Sequence, residues 1–184
     1  MFFIAFDCET TGIDDPRLVE LGAVLMEDDR ERASVSLIVR PDGFEVPEAA
    51  TKVHGISHVA ALAAGVPLVI AVAVLTNLWA CATERVAHNL EFDDKVIDGE
   101  IRRLGRASTL ARPPGRCTAD LSAPILNLPP TERMLAAGFD KPKRPSLREA
   151  YRHFFNEDPP NAHSALADAR AAARVYLAIL EKSQ

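Results

Sequence analysis

The order of apolar and polar segments along the chain predicts strands first and mostly helices later. Phe2–Phe6 is a short apolar run that ends in acidic residues, a pattern typical of a buried strand. Leu18–Met26 and Ser34–Val39 are apolar, partly β-branched segments on either side of the charged stretch EDDRER, which predicts a hairpin. Arg85–His88 is a further short predicted strand. This order indicates an α/β domain.

Helical periodicity and capping signals predict the remaining elements. Ser146 precedes a predicted helix that runs through Phe154, and Glu149 stands where a capping box requires a glutamate. Pro129–Pro145 is rich in Pro, Gly and charge, which predicts a loop with a little helix. The other predicted helices are Glu48–Val53, Pro67–Ala82, Phe92–Leu104, Cys117–Leu126 and Ala165–Glu181. The length of 184 residues fits one domain that spans the chain.

The most apolar stretch raises the question of a membrane span. Val59–Thr83 contains no charged residue, but Gly65 and Pro67 interrupt it and leave Pro67–Ala82 as the predicted helix. At about 1.5 Å per residue such a helix would be roughly 24 Å long, which is short for a bilayer. We therefore predict a mostly buried helix and no membrane span.

The Pro67–Ala82 helix carries two apolar stripes. The first, which should face the core, consists of Leu68, Val72, Leu75 and Trp79. The second consists of Ile70, Val74 and Cys81 with Asn77, where helices in contact with water usually carry charges. We expect this second stripe to be covered by later loops, by another copy of the chain in a homodimer, or by a protein partner.

Composition and charge narrow the function classes. The net charge of −5 argues against a sequence-independent nucleic-acid coat, which binds through many Lys and Arg, but allows an enzyme that holds one strand end. Cys8, Cys81 and Cys117 have no disulfide or zinc spacing, which favours a reducing cytoplasm. The N-terminus has no basic flank and reaches Asp7 too soon for a signal peptide.

Two acidic residues lie at the end of the first predicted strand. Asp7 and Glu9 are two positions apart, so their side chains should point to the same face. Neighbouring carboxylates repel each other, and a hard divalent cation such as Mg²⁺ or Mn²⁺ is their natural partner. By themselves, however, two acids at a strand end can equally be solvated or cap the next turn.

Two further groups carry candidate chemistry. His88, Asn89, Phe92 and Asp93 lie where a strand is predicted to run into a helix, although an acid at that place can simply favour the helix dipole. His163 and Asp168 would lie just before and just inside the last helix. A surface histidine followed by an acid in a first helical turn is the ordinary alternative.

Together these groups form the ordered motifs D-x-E-T-T-G, H-N-x-x-F-D and H-x-x-x-x-D. The chain thereby resembles the DEDDh family of 3′–5′ exonucleases, similar to polymerase proofreading subunits. The resemblance extends over Phe3–Leu180 and includes V-E-L-G-A-V at Val19–Val24, V-H-G-I-S at Val53–Ser57 and the pair Ser146–Leu147. It implies a ribonuclease H-like α/β fold with a mixed central sheet flanked by helices.

The resemblance also implies residue roles. Asp7, Glu9, Asp93 and Asp168 would hold two divalent metal ions, Mg²⁺ or Mn²⁺, with Asp7 bridging both. His163 would be the general base for the water that attacks the last phosphodiester, so that the product is a nucleoside 5′-monophosphate. Ser164 stands where the sister group has its Tyr.

Substrate contacts follow from the same resemblance. Thr10 and Thr11 should meet the terminal 3′ hydroxyl, and His54 and Ile56 should lie near the terminal base, although Ile56 could equally pack in the core. Asn89 should orient substrate, fix the local turn, or both.

A basic cluster is the expected path of the upstream phosphates, with a solvated loop as the alternative. Lys143 and Arg144 are its predicted substrate contacts. The full cluster is Arg112, Arg116, Lys141, Lys143, Arg144 and Arg148.

The sequence leaves three function hypotheses. We favour a DNA exonuclease of the proofreading or repair kind, acting on a single-stranded 3′ end. A 3′–5′ exoribonuclease of the oligoribonuclease or ribonuclease T type shares the same residues, and nothing in the sequence reads a 2′ hydroxyl. A non-catalytic binding module of the same fold is the third hypothesis, which the complete ligand set disfavours.

Overall fold

The computed structural model describes residues 1–106 and 111–182, and a five-stranded sheet forms its centre. The strands are β1 (Phe2–Thr10), β2 (Leu18–Glu27), β3 (Arg30–Ile38), β4 (Glu84–Ala87) and β5 (Gly115–Cys117). Their order is β3-β2-β1-β4-β5, with β1, β2 and β3 antiparallel and β4 parallel to both β1 and β5. The predicted mixed sheet and the predicted hairpin are therefore confirmed.

The first strand is longer than the sequence pattern predicts. It continues past Phe6 to Thr10 because β2 pairs with it along this whole length, placing Asp7 opposite Gly22 and Glu9 opposite Glu20. The two acids therefore lie within the strand and on one face, as their spacing predicts.

The helices are α1 (Glu48–His54), α2 (His58–Ala64), α3 (Leu68–Ala80), α4 (Leu90–Arg103), α5 (Thr118–Leu126), α6 (Glu132–Ala136), α7 (Leu147–Phe155) and α8 (Ala165–Lys182). The sequence pattern missed α2, although Ser57 caps its first turn by accepting a hydrogen bond from the Ala60 N–H. It also missed β5, a three-residue strand held by its pairing with β4. The capping box at Ser146 and Glu149 is present as predicted.

Helices cover both faces of the sheet. On one face, Ile4 and Phe6 belong to a core that includes Leu75 and Trp79 of α3 and residues of α4. On the other face, the core formed by Phe3, Ala5, Val24 and Val86 includes Ala169, Ala173 and Tyr176 of α8. Asp7 and Glu9 follow Phe3 and Ala5 at alternate positions of β1, so they share the face that α8 covers.

The two stripes of α3 differ as the sequence pattern predicts. Val72, Leu75 and Trp79 are buried in the first stripe. In the second stripe Ile70 remains 46% exposed and Cys81 is exposed, so later loops do not cover these residues, contrary to one of our expectations. Among the described residues, no helix combines the length and apolar character needed to cross a membrane.

Candidate active site

Strand β1 and helix α4 bring three of the predicted carboxylates together. Asp7 and Glu9 project from the end of β1, and Asp93 lies in the first turn of α4. The Cys8 backbone N–H donates to Asp93 Oδ1 at 3.1 Å, a bond that ties α4 to the strand between the two acids. This bond fixes the Asp93 side chain beside β1.

The start of α8 supplies the other two predicted residues. His163 has a φ of 70°, a left-handed backbone conformation, and its N–H donates to Asp168 Oδ2 at 3.1 Å. One ligand atom each from Glu9, His163 and Asp168 lies within 4.8 Å of the others. The last helix therefore delivers both residues to the acidic end of β1.

A fifth carboxylate, to which the sequence motifs assign no role, holds the start of this helix by a hydrogen bond. Glu20 of β2 is buried, and its two oxygens accept hydrogen bonds from the Ala165 N–H at 3.0 Å and from the Ser36 hydroxyl at 2.7 Å. Gly22 allows α8 to approach closely, because a Cβ there would lie 2.1 Å from the Ala165 carbonyl carbon. The available signal was an acid inside the apolar run V-E-L-G-A-V.

The crowded acids repel one another and are partly withdrawn from water. Burial raises the pKa of Asp7 well above its usual value, and the nearby carboxylates of Asp93, Asp168, Glu9 and Glu20 raise it further. Burial also raises the pKa of Asp93, against the opposing effect of the Cys8 hydrogen bonds.

The acids nearer the surface show the same trend. Burial, followed by the charges of Asp168 and Glu20, raises the pKa of Glu9 to about 7. The pKa of Asp168 is also raised, chiefly by burial, although the hydrogen bond from the His163 backbone opposes this. The site as a whole therefore favours a positive counter-charge.

These residues fit divalent cations. Carboxylate oxygens are the ligands that Mg²⁺ and Mn²⁺ prefer, and the mutual repulsion between the acids is a cost that a bound cation removes. Asp7, Glu9, Asp93 and Asp168 supply such oxygens from one strand and the first turns of two helices. Glu9 and Asp168 are close enough for one ion to contact both.

The predicted contacts to the 3′ hydroxyl lie beside this site but are engaged in a turn. The Thr10 hydroxyl donates to the Gly12 carbonyl at 2.8 Å. The Thr11 backbone N–H donates to the Arg17 carbonyl at 3.0 Å, and its hydroxyl accepts from the Arg17 N–H at 3.0 Å. A role for the Thr11 backbone N–H in binding substrate would require this bond to open.

His54 lies near the backbone of Thr10, and Ile56 follows it two positions along the chain. His54 is buried, its Nδ1 accepts from the Ile56 N–H at 3.1 Å, and its Nε2 has no hydrogen-bond partner among the described residues. Burial lowers the pKa of His54, while the charge of Glu20 and the backbone of Thr10 act in the opposite direction. Ile56 is half-buried against a small core cluster, so packing accounts for part of its role.

Asn89, Lys143 and Arg144 meet in a groove of about 660 Å³. Asn89 has a left-handed φ of 75° just before α4, and its Oδ1 accepts from Arg144 Nη1 at 3.2 Å. Arg144 also pairs with Asp120, and Lys143 with Glu149. His88 links two sides of the groove, since its Nε2 lies 3.0 Å from the Pro145 carbonyl oxygen.

The predicted basic cluster is split. Arg148 lines the groove with Lys143 and Arg144. Arg112 instead stacks over the Trp79 ring at 4.9 Å and pairs with acids of α4, and Arg116 pairs with Glu84. Arg112 and Arg116 do not line the groove, so the prediction of one continuous cluster is wrong for these two residues.

Solved structures of exonuclease I enzymes have a similar fold. The fold is similar to that of E. coli exonuclease I in complex with a dT13 oligonucleotide, with a TM-score of 0.74, 20% identity, and coverage of 99% of this chain and 41% of that chain. Exonuclease I from Methylocaldum szegediense is similar with a TM-score of 0.74, 18% identity, and coverage of 98% and 40%. These likenesses confirm the predicted ribonuclease H-like fold.

Sequence comparison identifies the family. The chain is 26% identical to a PolC-type DNA polymerase III of Caldanaerobacter subterraneus subsp. tengcongensis over 184 residues, which is 99% of this chain and 12% of that polymerase. It thus spans a small part of that relative and less than half of exonuclease I. Over residues 4–176 it matches the RNase T family model, described as an exonuclease. Together with its motifs, this match means that the chain belongs to the RNase T exonuclease family, of the DEDDh type.

Proposed function

We propose that this chain is a 3′–5′ exonuclease that releases nucleoside 5′-monophosphates from the single-stranded 3′ end of DNA. The observation that carries the proposal is the meeting of Glu9, His163 and Asp168, whose ligand atoms lie within 4.8 Å of one another at the end of β1. Asp7 and Asp93 complete the acidic set. We propose residues 1–184 as one exonuclease unit.

The carboxylates of Asp7, Glu9, Asp93 and Asp168 would hold two divalent ions, Mg²⁺ or Mn²⁺, with Asp7 shared between them. When bound, such ions would increase the acidity of the attacking water and stabilise the leaving 3′ oxygen. Held by these carboxylates, the ions would lie beside the last phosphodiester of the strand.

His163 acts as the general base. Its side chain is exposed at the mouth of the site, where it can accept a proton from the attacking water and release it to solvent. The hydrogen bond between its backbone and Asp168 couples the position of the base to that of a metal ligand. Loss of this base should slow cleavage by about 10²–10⁴-fold.

Substrate would occupy the surface around these residues. Thr10 and Thr11 would contact the terminal 3′ hydroxyl, and His54 and Ile56 would contact the terminal base. Asn89 lies between this site and the groove of Lys143 and Arg144, which we assign to the phosphates upstream.

The choice of DNA is supported by two relatives, a DNA polymerase and an exonuclease I bound to a dT13 oligonucleotide. RNA is the second candidate, since the matching family model carries the name RNase T. The two substrates differ by the 2′ hydroxyl, which a polar group near the terminal sugar could accept or exclude.

Partners and location are further parts of the proposal. The exposed second stripe of α3 would pack against another copy of the chain or against a protein partner, and Ile70 and Val74 lie on this surface. A reducing compartment such as the cytoplasm suits the three free cysteines of the described chain. Repair or proofreading would be the biological setting.

The test compares 5′-labelled single-stranded DNA and RNA of the same sequence, with Mg²⁺, Mn²⁺ or chelator. With metal we expect a ladder that shortens from the 3′ end. The ladder should be absent with chelator and in Asp7→Ala, and should form about 10²–10⁴-fold more slowly in His163→Ala. Circular dichroism of both variants checks that they fold. Intact substrate with every metal, from well-folded wild-type protein, would refute the proposed activity, and a ladder on RNA alone would refute the choice of DNA.

A further inference from the structure

We propose that the segment Glu132–Arg144, the upstream arm, binds the single strand behind its 3′ end, with Phe139 stacked on a base. The inference rests on the proposed nuclease function and adds to it a separate contact for the strand, outside the catalytic residues. It also names a substrate feature, an unpaired base several nucleotides from the end.

The arm presents a large apolar surface to solvent in a fixed geometry. Phe139 is 62% exposed and Leu135 is 54% exposed. The Phe139 N–H donates to the Met134 carbonyl at 2.8 Å, which closes the end of α6. The Lys143 N–H donates to the Leu128 carbonyl at 3.2 Å, which ties the C-terminal end of the arm to the segment that precedes it. Because these hydrogen bonds already fix the backbone of the arm, less conformational entropy is lost when a base stacks on the exposed ring.

The arm ends at the active site. Arg144, its last residue, donates to Asn89 Oδ1 at 3.2 Å, and Asn89 directly precedes the helix that carries Asp93. Phe139 is five residues before Arg144, so its Cα lies at most about 18 Å from that of Arg144. A strand that leaves the acidic site through the groove of Lys143 and Arg144 would therefore pass within about 18 Å of the Phe139 Cα.

The charges around Phe139 favour a polyanion as the occupant. The arm carries four cationic and two anionic side chains, in a chain whose net charge is −5. Two of the cations, Lys143 and Arg144, are paired with Glu149 and Asp120. Lys141 is exposed, and among the described residues it forms no ion pair, so its charge is available to a phosphate. An exposed aromatic ring interleaved with cationic side chains is the combination that binds single strands independently of sequence.

Binding is measured by fluorescence anisotropy of a 5′-labelled oligothymidylate in chelator, where no cleavage occurs. Stacking contributes about 1–3 kcal/mol per base, so Phe139→Ala should raise Kd by about 5- to 150-fold. Phe139→Trp should restore the wild-type Kd because it retains a stacking face. Lys141→Ala should reduce the slope of log Kd against log salt by about 0.7.

Leu135→Ala is the matched control, because it removes a similarly exposed apolar side chain from the same arm without removing a ring. We expect it to change Kd by less than about twofold. An unchanged Kd in Phe139→Ala would overturn the inference. Equal losses in both alanine variants, or a loss that Phe139→Trp does not restore, would also overturn it, because the effect would then not depend on a stacking ring.

The proposed activity and the arm can fail separately. Oligothymidylate binding that depends on Phe139, without any cleavage when metal is added, would refute the exonuclease proposal and support the arm. Cleavage with metal, together with a Kd that does not depend on Phe139, would refute the arm and support the exonuclease proposal. Melting temperatures of all variants check that the change is local.

Discussion

Replacing Gly22 with alanine tests how closely the last helix must approach the sheet. Gly22 lies opposite Asp7 in the hairpin of β1 and β2, directly beneath the start of α8. An added Cβ would lie 2.1 Å from both the Ala165 carbonyl carbon and the Leu166 nitrogen, whereas ordinary contacts begin near 3.4 Å. The obstacle is backbone, so no side chain can rotate away from it.

The expected effects follow from this distance. The first turn of α8 would have to move away from β2 by about 1 Å, and overpacking of this kind costs about 1–3 kcal/mol. For a chain of this size we expect the melting temperature to fall by roughly 2–12 °C. His163 and Asp168 would move with the helix, and a misplacement of about 1 Å can slow catalysis about 10²-fold.

The assay combines thermal unfolding with single-turnover cleavage of a labelled oligonucleotide. Single-turnover rates are informative because they report the chemical step separately from product release. Gly99→Ala is the control: its Cβ would meet the Arg103 side chain at 3.1 Å, and Gly99 lies inside α4. Because that side chain is flexible and alanine favours helix by up to about 1 kcal/mol, we expect Gly99→Ala to keep both stability and rate.

One result would refute the reasoning. If Gly22→Ala unfolds at the wild-type temperature and cleaves at the wild-type rate, the close contact between β2 and α8 does not position the catalytic residues. A fall in stability with an unchanged rate would mean that the helix moves without carrying His163 out of place.

Three further predictions concern single side chains. Glu20→Ala should lower the single-turnover rate about 10- to 100-fold with little change in substrate Kd, because the carboxylate holds the start of α8 in place. Glu20→Gln should retain more of the rate, because its amide oxygen can still accept the hydrogen bond from the Ala165 N–H. Equal losses in both variants would contradict this positioning role. Burial raises the pKa of Glu9 from 4.5 to about 7. Between these two pH values, and without metal, the Glu9 carboxyl therefore keeps its proton in the folded protein and has lost it in the unfolded chain. Stability from this group is complete below about pH 4.5 and is lost as the pH rises through about 7. In chelator near pH 8, Glu9→Gln should therefore melt about 2–4 °C higher than wild type, after allowance for solvent screening, with the difference vanishing near pH 5; a constant difference between the two melting curves would contradict the shift. Arg112→Ala should lower the melting temperature by a few degrees, because its stacking on Trp79 is lost. The Kd for oligothymidylate, measured by anisotropy, should not change. A higher Kd would indicate that Arg112 does contact the substrate phosphates.

Local patterns in the sequence were sufficient for much of the fold. The capping box at Ser146 and the buried stripe of α3 depend on residues three or four positions apart, and both are present as predicted. Short elements were harder. The pattern missed α2, a seven-residue helix, and β5, whose pairing with β4 joins residues far apart in the sequence. Such short elements persist because of their neighbours, not because of their own propensity.

The sequence by itself determined the family and the candidate catalytic set, because the motifs of Asp7, Asp93 and Asp168 place particular residue types in a particular order. Only the tertiary structure decided how these residues are held. Glu20 seats the Ala165 backbone across 145 residues of sequence, and Arg112 packs on Trp79 instead of joining the basic groove. Hydrogen bonds and ion pairs between residues distant in sequence depend on how the sheet and helices pack together, and no local periodicity encodes them.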